Sequence, residues 1–328
     1  YHNIGEVYKN KGEYKEALEY FSKSLDIKKS VYGGGNCASV ATTCSNIGTV
    51  YNKQGEYKKA LEYFLKALDI RISVYGSDNH SLVAASYNSI GSVYHNQGEY
   101  KKALEFYLKT LDIRKSVYKD NHPKIAVSYN NIGGVYDNLG EYNKALEYYL
   151  KSLDIKKSVY GGNHPEVANS YNNIGQGYDG QGEYKKALVC YLKALDIQKS
   201  IYGGENHPSV AISYHNIGSV YQKRGEYKKA LEYLLKSLDI QKAVYGGDDH
   251  PNIATSYNNI GSVYEYQGEP KKALEYYLKS LDIRKSVYGD VNHPLIANSY
   301  NNIGSAYNSQ GEYEKALEYY FKTLDMQK

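Results

Sequence analysis

Ala126–Val167 reads AVSYNNIGGVYDNLGEYNKALEYYLKSLDIKKSVYGGNHPEV, and the same sentence, lightly edited, recurs about eight times along the 328-residue chain. The Gly-Glu pair inside it is the clearest ruler. Its glycines are Gly12, Gly55, Gly98, Gly140, Gly182, Gly225, Gly268 and Gly311, spaced 42 or 43 residues apart. The one-residue variation falls in the linker: Tyr118-Lys-Asp-Asn-His and Tyr160-Gly-Gly-Asn-His are shorter than Tyr202-Gly-Gly-Glu-Asn-His. A length change confined to a linker is expected when the remainder is packed helix. An array of this kind grows along one axis and buries a continuous core between neighbours, so its length does not imply two globular domains. The repeats divide as 1–37, 38–80, 81–122, 123–164, 165–207, 208–250, 251–293 and 294–328, within a single domain spanning 1–328.

Each unit reads as two helices. The first begins at the proline (Pro123, Pro165, Pro208, Pro251 and Pro294), whose missing N–H would be unpaired there in any case. Apolar residues follow at helical spacing, Ala126, Tyr129, Ile132 and Tyr136. The pattern stops between Asn138 and Gly140, where glycine permits a tight turn. The second helix starts at Glu141 and carries Tyr142, Ala145, Leu146, Tyr149, Leu153 and Ile155, ending near Tyr160. Glu147 precedes Lys151 by four residues on its outer side, a favourable helix pair repeated as Glu62 with Lys66, Glu105 with Lys109, Glu232 with Lys236 and Glu275 with Lys279. Pro270 follows its Glu and fits only a first helical turn, since in mid-helix it costs about 3 kcal/mol. Gly133 with Ala145, Gly175 with Ala187 and Gly218 with Ala230 supply small residues where two helices must approach.

The spacing of Tyr129, Ile132, Gly133, Tyr136, Gly140, Tyr142, Ala145, Tyr149 and Leu153 resembles the tetratricopeptide repeat (TPR). The usual unit is about 34 residues; here the second helix and the linker are longer, a form similar to the repeats of kinesin light chains and related adaptors. The resemblance implies an all-α fold, a right-handed TPR superhelix (α-solenoid) of about eight antiparallel helix pairs. It further implies that the first helices line a concave groove that binds a protein or peptide segment. The second unit departs from the pattern: Cys44 replaces the first-helix Tyr, and Asn36-Cys37-Ala38 replaces Asn-His-Pro.

Composition narrows the function. The chain has 41 Tyr, no Trp and 4 Phe, so the aromatic core is largely tyrosine with hydroxyls reaching the rim. Net charge is +4 with acids and bases interleaved, which argues against a nucleic-acid surface. No apolar run reaches the length of a membrane span. Cys37, Cys44 and Cys190 are odd in number and do not recur with the repeat, so they are expected as reduced thiols, with a cytoplasmic location. The chain opens at Tyr1 within a repeat, as a piece of something longer would.

Catalysis finds no constellation that stands apart from the repeat, and any catalytic group inside the consensus would occur eight times. No phosphate-cradling glycine motif is present. The linker histidines His80, His122, His164, His207, His250 and His293 come one per unit, too sparsely for a metal site; capping of the next helix is the expected use. Neither metal nor cofactor is expected.

Candidate binding residues lie around the first-helix glycine. One asparagine ladder comprises Asn131, Asn173, Asn216, Asn259 and Asn302, and the position before it holds Asn88, Asn130, Asn172, Asn258 and Asn301. An amide carries donor and acceptor together and can hold an extended peptide backbone without reading its side chains. The other use of such amides is to bond a neighbouring helix and keep the repeats in register. One turn after the glycine the residue varies, as in His95, Asp137, Asp179 and Gln222, which suits ligand discrimination and equally suits drift on a solvated face. The groove so described is polar, of mixed sign and without a central cation cluster. A second function class is head-to-tail self-association, through Tyr320, Phe321 and Leu324 at the end of the last unit before Lys328.

Overall fold

A computed structural model describes residues 1–32, 37–289 and 292–326; Asn36 and Lys328, named above, lie outside the described residues. Sixteen helices and no strand occur among them. In the first compact unit, Tyr1–Gly161, these are α1 (His2–Lys11), α2 (Tyr14–Val31), α3 (Ala38–Lys53), α4 (Tyr57–Tyr75), α5 (Ser81–Asn96), α6 (Tyr100–Val117), α7 (Pro123–Asn138) and α8 (Tyr142–Tyr160). The second compact unit, Gly162–Lys328, contains α9 (Pro165–Gly180), α10 (Tyr184–Tyr202), α11 (Pro208–Lys223), α12 (Tyr227–Tyr245), α13 (Pro251–Tyr266), α14 (Pro270–Tyr288), α15 (Pro294–Ser309) and α16 (Tyr313–Asp325). Each unit is a run of helix pairs, the all-α architecture expected from the repeat.

The pair is closed by its turn. Gly140 has φ +73°, so its conformation favours glycine, and the N–H of Glu141 reaches back to the Tyr136 carbonyl at 2.9 Å. Glu141 itself caps α8 from outside the helix, one residue earlier than the helix start. Its carboxylate makes no side-chain cap and instead meets Lys144 at 2.6 Å. Pro270 occupies the first turn of α14, as its sequence position requires. The linker histidines cap the first helices: Nδ1 of His80, His122, His164, His207, His250 and His293 accepts the backbone N–H two residues on, at 3.1–3.2 Å. Several of these rings lie flat on the tyrosine ending the previous helix, His207 on Tyr202 with centroids 3.4 Å apart. Where Cys37 replaces histidine, α3 has no side-chain cap.

Within a pair, the first-helix glycine receives a large side chain of the second helix. A Cβ added at Gly133 would lie 2.7 Å from the Tyr149 ring, and one at Gly175 would lie 2.7 Å from Tyr191. The same seat holds Phe21 against Gly5, Phe64 against Gly48, Tyr107 against Gly91, Leu234 against Gly218, Tyr277 against Gly261 and Tyr320 against Gly304. Behind it, buried Ser152, Ser237 and Ser280 donate to the carbonyls of Ala126, Ala211 and Ala254 at 2.7–2.9 Å.

Between pairs, a long polar side chain from the second helix is buried and latches the next first helix. Arg114 Nη1 donates to the Lys124 carbonyl at 2.9 Å and to Ser128 Oγ at 2.8 Å; Arg71 and Arg284 repeat this on Ser86 and Ser299. With Gln198 and Gln241 the direction reverses, and Ser213 and Ser256 donate to the amide oxygen at 2.7 Å. The hydroxyl serves either partner because it can both donate and accept.

Two outcomes follow. Gly133→Ala forces the Tyr149 ring out of its seat and should lower unfolding free energy by about 1–3 kcal/mol, read from denaturant melts. Tyr107 is buried and its hydroxyl pKa is pushed up from 10 to about 12 by desolvation. The neutral form is therefore the folded one: this share of stability is intact below pH 10 and is lost as pH rises towards 12. The loss amounts to on the order of 2–3 kcal/mol, and Tyr107→Phe should abolish it in melts across that range.

Candidate functional site

The asparagines lie half-buried along the first helices, and the structure joins them from pair to pair. Asn131 Nδ2 donates to Asn88 Oδ1 at 2.9 Å, and Asn302 Nδ2 to Asn258 Oδ1 at 2.9 Å. Asn259 meets His215 Nε2 at 3.3 Å, and burial holds the His215 imidazole below its ordinary pKa. Asn172 accepts from Ser213 Oγ at 3.3 Å. At Asn131, Asn259 and Asn302 the second residue of the pair thus reaches the first position of the preceding repeat, the register-keeping bond that amides at this spacing allow. Asn130, Asn173 and Asn216 are half-buried in the same rows, while Asn301 is exposed.

The variable position forms a second row. His95 Nε2 meets Asn138 Nδ2 at 3.0 Å, Asp179 Oδ2 meets Lys223 Nζ at 2.6 Å, and Gln222 Nε2 donates to Ser262 Oγ at 3.0 Å. Asp137 is buried at 9% exposure, which a solvated face would not produce. Glu265, in the same row, accepts from Tyr277 OH at 2.7 Å and from Ser305 at 2.6 Å. Burial, then Glu265, pushes the Tyr277 hydroxyl up; burial and then Asp137 do the same for Tyr149.

Sequence reasoning missed a link that was visible in the letters. Where the side chain seated on the glycine is Tyr107, Tyr149, Tyr191 or Tyr277, the variable residue is His95, Asp137, Asp179 or Glu265; where it is Phe21, Phe64 or Leu234, the variable residue is Lys9, Asn52 or Gln222. Tyr320 with Asn308 is the exception. A seated phenol brings a hydroxyl to this row, and a buried hydroxyl calls for a polar partner. Glu265, which accepts from the seated Tyr277, is one letter of the row tied to the seam.

One cleft of about 650 Å³ opens between the C-terminal ends of α11 and α13, lined by Gln222, Lys223, Arg224, Tyr227, Ser262 and Tyr266 among others. Two cations and an exposed tyrosine meet there, which the repeat-averaged sequence does not suggest. Elsewhere, Phe321 and Leu324 of α16 are exposed while the Tyr320 ring rests on Gly304. The three cysteines are free thiols, Cys44 and Cys190 buried. Among the described residues no cluster of metal ligands occurs, and no helix is long and apolar enough to cross a membrane.

Helix pairs of this length, with a glycine seat and a first-helix polar wall, define a tetratricopeptide solenoid. Family models of the tetratricopeptide repeat match residues 1–73, 39–116, 82–158, 125–200, 181–243 and 209–286, with a further tetratricopeptide model at 297–328. The chain belongs to the tetratricopeptide-repeat family. A search of curated proteins finds no match. Among solved structures, BtubC (BKLC) from P. vanneervenii is 21% identical with a TM-score of 0.61, over 73% of this chain and 94% of that one. The nearly identical TPR-like repeats of a kinesin light chain from Podosopora anserina are 22% identical with a TM-score of 0.54, over 63% and 96%. A Rap protein complexed with Competence and Sporulation Factor is 17% identical with a TM-score of 0.63, over 96% and 84%. At these identities the likeness is one of fold.

The Asn88–Asn131 bond can be weighed by a double-mutant cycle. Each alanine variant should lose about 0.5–1.5 kcal/mol and the pair should lose less than the sum, because the bond can be removed only once; strict additivity in denaturant melts would show that the amides act independently.

Proposed function

We propose that this chain is an interaction scaffold that binds a peptide or protein segment along the first helices, with a binding role and no catalytic one. The observation that carries the reading is the recurrence of amides at one-repeat spacing along the first helices, interrupted at Ser89 and His215, most of them half-buried. An extended backbone offers a carbonyl and an N–H at regular intervals, and a row of amides can answer both. The bonds between neighbouring amides fix their orientation before a ligand arrives, which lowers the ordering cost of binding. A similar fold in complex with a factor, as in the Rap protein, is consistent with this use. Free thiols throughout fit a reducing compartment such as the cytoplasm.

The test uses peptides selected from a displayed random library. Replacing Asn173, Asn216 and Asn259 together by Ala should weaken the selected binders by at least about tenfold, since three amide contacts are lost. Unchanged affinity, with the melting temperature confirming that the variant is folded, would remove the amide rows from the binding surface.

A further inference from the structure

One helix pair lacks the ring with which the others open their second helix. Tyr14, Tyr57, Tyr100, Tyr142, Tyr184 and Tyr227 stand first in α2, α4, α6, α8, α10 and α12, each half-buried; in α14 that place belongs to Pro270. Proline suits a first helical turn, so the exchange keeps the helix start and removes the phenol. In the preceding pair Tyr227 packs on the core and lies parallel to Tyr266 of the next repeat, with centroids 6.1 Å apart. One repeat on, the same two places hold Pro270 and Ser309.

The space shows the difference. A cleft of about 640 Å³ opens between the turn ahead of α14 and the turn ahead of α16, lined by Gly268, Pro270, Lys271, Lys272, Gln310 and Glu312 among others. Its counterpart one repeat earlier measures about 420 Å³ and is lined by Tyr227 in place of Pro270. Gly225, Lys228, Lys229 and Gln267 of the smaller cleft correspond to Gly268, Lys271, Lys272 and Gln310 of the larger, letter for letter. The exchanged residue is therefore the aromatic one.

The chemistry of the walls favours a flat apolar group over an ion. Glu269 holds Lys272 Nζ at 2.5 Å, and that ammonium also lies 5.3 Å from the centroid of the Tyr264 ring. Glu312 meets Lys315 at 2.5 Å, and Gln310 Nε2 donates to the Ala306 carbonyl at 3.2 Å. These polar groups are already engaged within the chain. Pro270 adds its own ring, and the stems of Lys271 and Lys272 are apolar along their length while their heads stay in water.

We propose that this cleft takes an aromatic side chain of a partner polypeptide, seated where Tyr227 sits one repeat earlier. The chain itself states the chemistry of the occupant, because its own tyrosine fills the equivalent place. An aromatic ring carries a large contact area on few rotatable bonds, which makes it an effective anchor for a docking segment. The site lies on the turn edge of the pairs, and no residue of the amide rows lines it. It is thus a second binding site, independent of the groove reading.

Random peptides are displayed and selected on the protein with an excess of the Pro270→Tyr variant in solution, so that binders indifferent to the restored ring are removed. The peptides retained should share a tyrosine or phenylalanine, and should be at least about tenfold weaker on Pro270→Tyr. Pro270→Ala leaves the cleft open and should keep their affinity. Changing the shared aromatic residue to Leu should weaken them on the protein. Replacing Asn173, Asn216 and Asn259 by Ala should leave them unaffected. In amide spectra of the unaltered protein, the bound peptide should shift the signals of Gly268 and Gln310, a readout that needs no variant; circular dichroism melts confirm that the variants are folded. Retained peptides without a shared aromatic residue, shifts confined to the asparagine rows, or equal loss of affinity on Pro270→Ala and Pro270→Tyr overturn the proposal. A particle mass that rises with concentration in the protein and not in Pro270→Tyr overturns it too, since the occupant is then a second copy of this chain. If every binder found responds to the Asn replacements and none to Pro270→Tyr, this site fails and the groove reading stands. Aromatic binders that respond to Pro270→Tyr and not to the Asn replacements establish this site whatever becomes of the groove.

Discussion

Everything in this chain depends on a ring, or once a leucine, pressed onto a glycine. With Tyr149 on Gly133, and its counterparts in every pair, the two helices stand closer than any Cβ would allow. That proximity lets Ser152 reach the Ala126 carbonyl and brings the phenol hydroxyl out near the first-helix wall. Close packing of this kind tolerates little change in volume, which explains why the surrounding letters repeat so faithfully while exposed ones drift.

Much of the fold was legible because its constraints are local. A glycine at positive φ, a proline at a first turn and apolar residues at helical spacing each identify their own position. The histidine caps were legible for the same reason: one acceptor just before Pro165 serves the donor at Glu166. The latches were not. Lys28, Arg71, Arg114, Lys156, Gln198, Gln241 and Arg284 share a position but look like ordinary surface letters at the end of a helix. The burial of Arg71, Arg114, Gln198 and Arg284 emerges only when the serine some fifteen residues on is brought against each, as Ser299 is against Arg284.

The site was half legible. The asparagine rows could be found by aligning the repeats, but the bond from Asn131 to Asn88 could not, because it depends on how adjacent first helices are offset. The letters of the variable row suit ligand discrimination and drift equally, and neither reading foresees that Glu265 answers a buried phenol. Averaging over repeats also concealed a place where averaging fails: Arg224 and Tyr266 sit in different repeats and line one cleft only through the packing of α11 beside α13.

The latches have a consequence for growth of the array. Arg114 to Ser128 and Gln198 to Ser213 close loops of one linker's length, and the amide bonds between neighbouring repeats, such as Asn302 to Asn258, span 44 residues or fewer. Loop-closure entropy rises with the length of chain enclosed, and here that length is the same at the first joint and at the last. Adding a pair therefore costs the chain no more entropy at the eighth position than at the second, and the number of pairs is free of any limit set by closure.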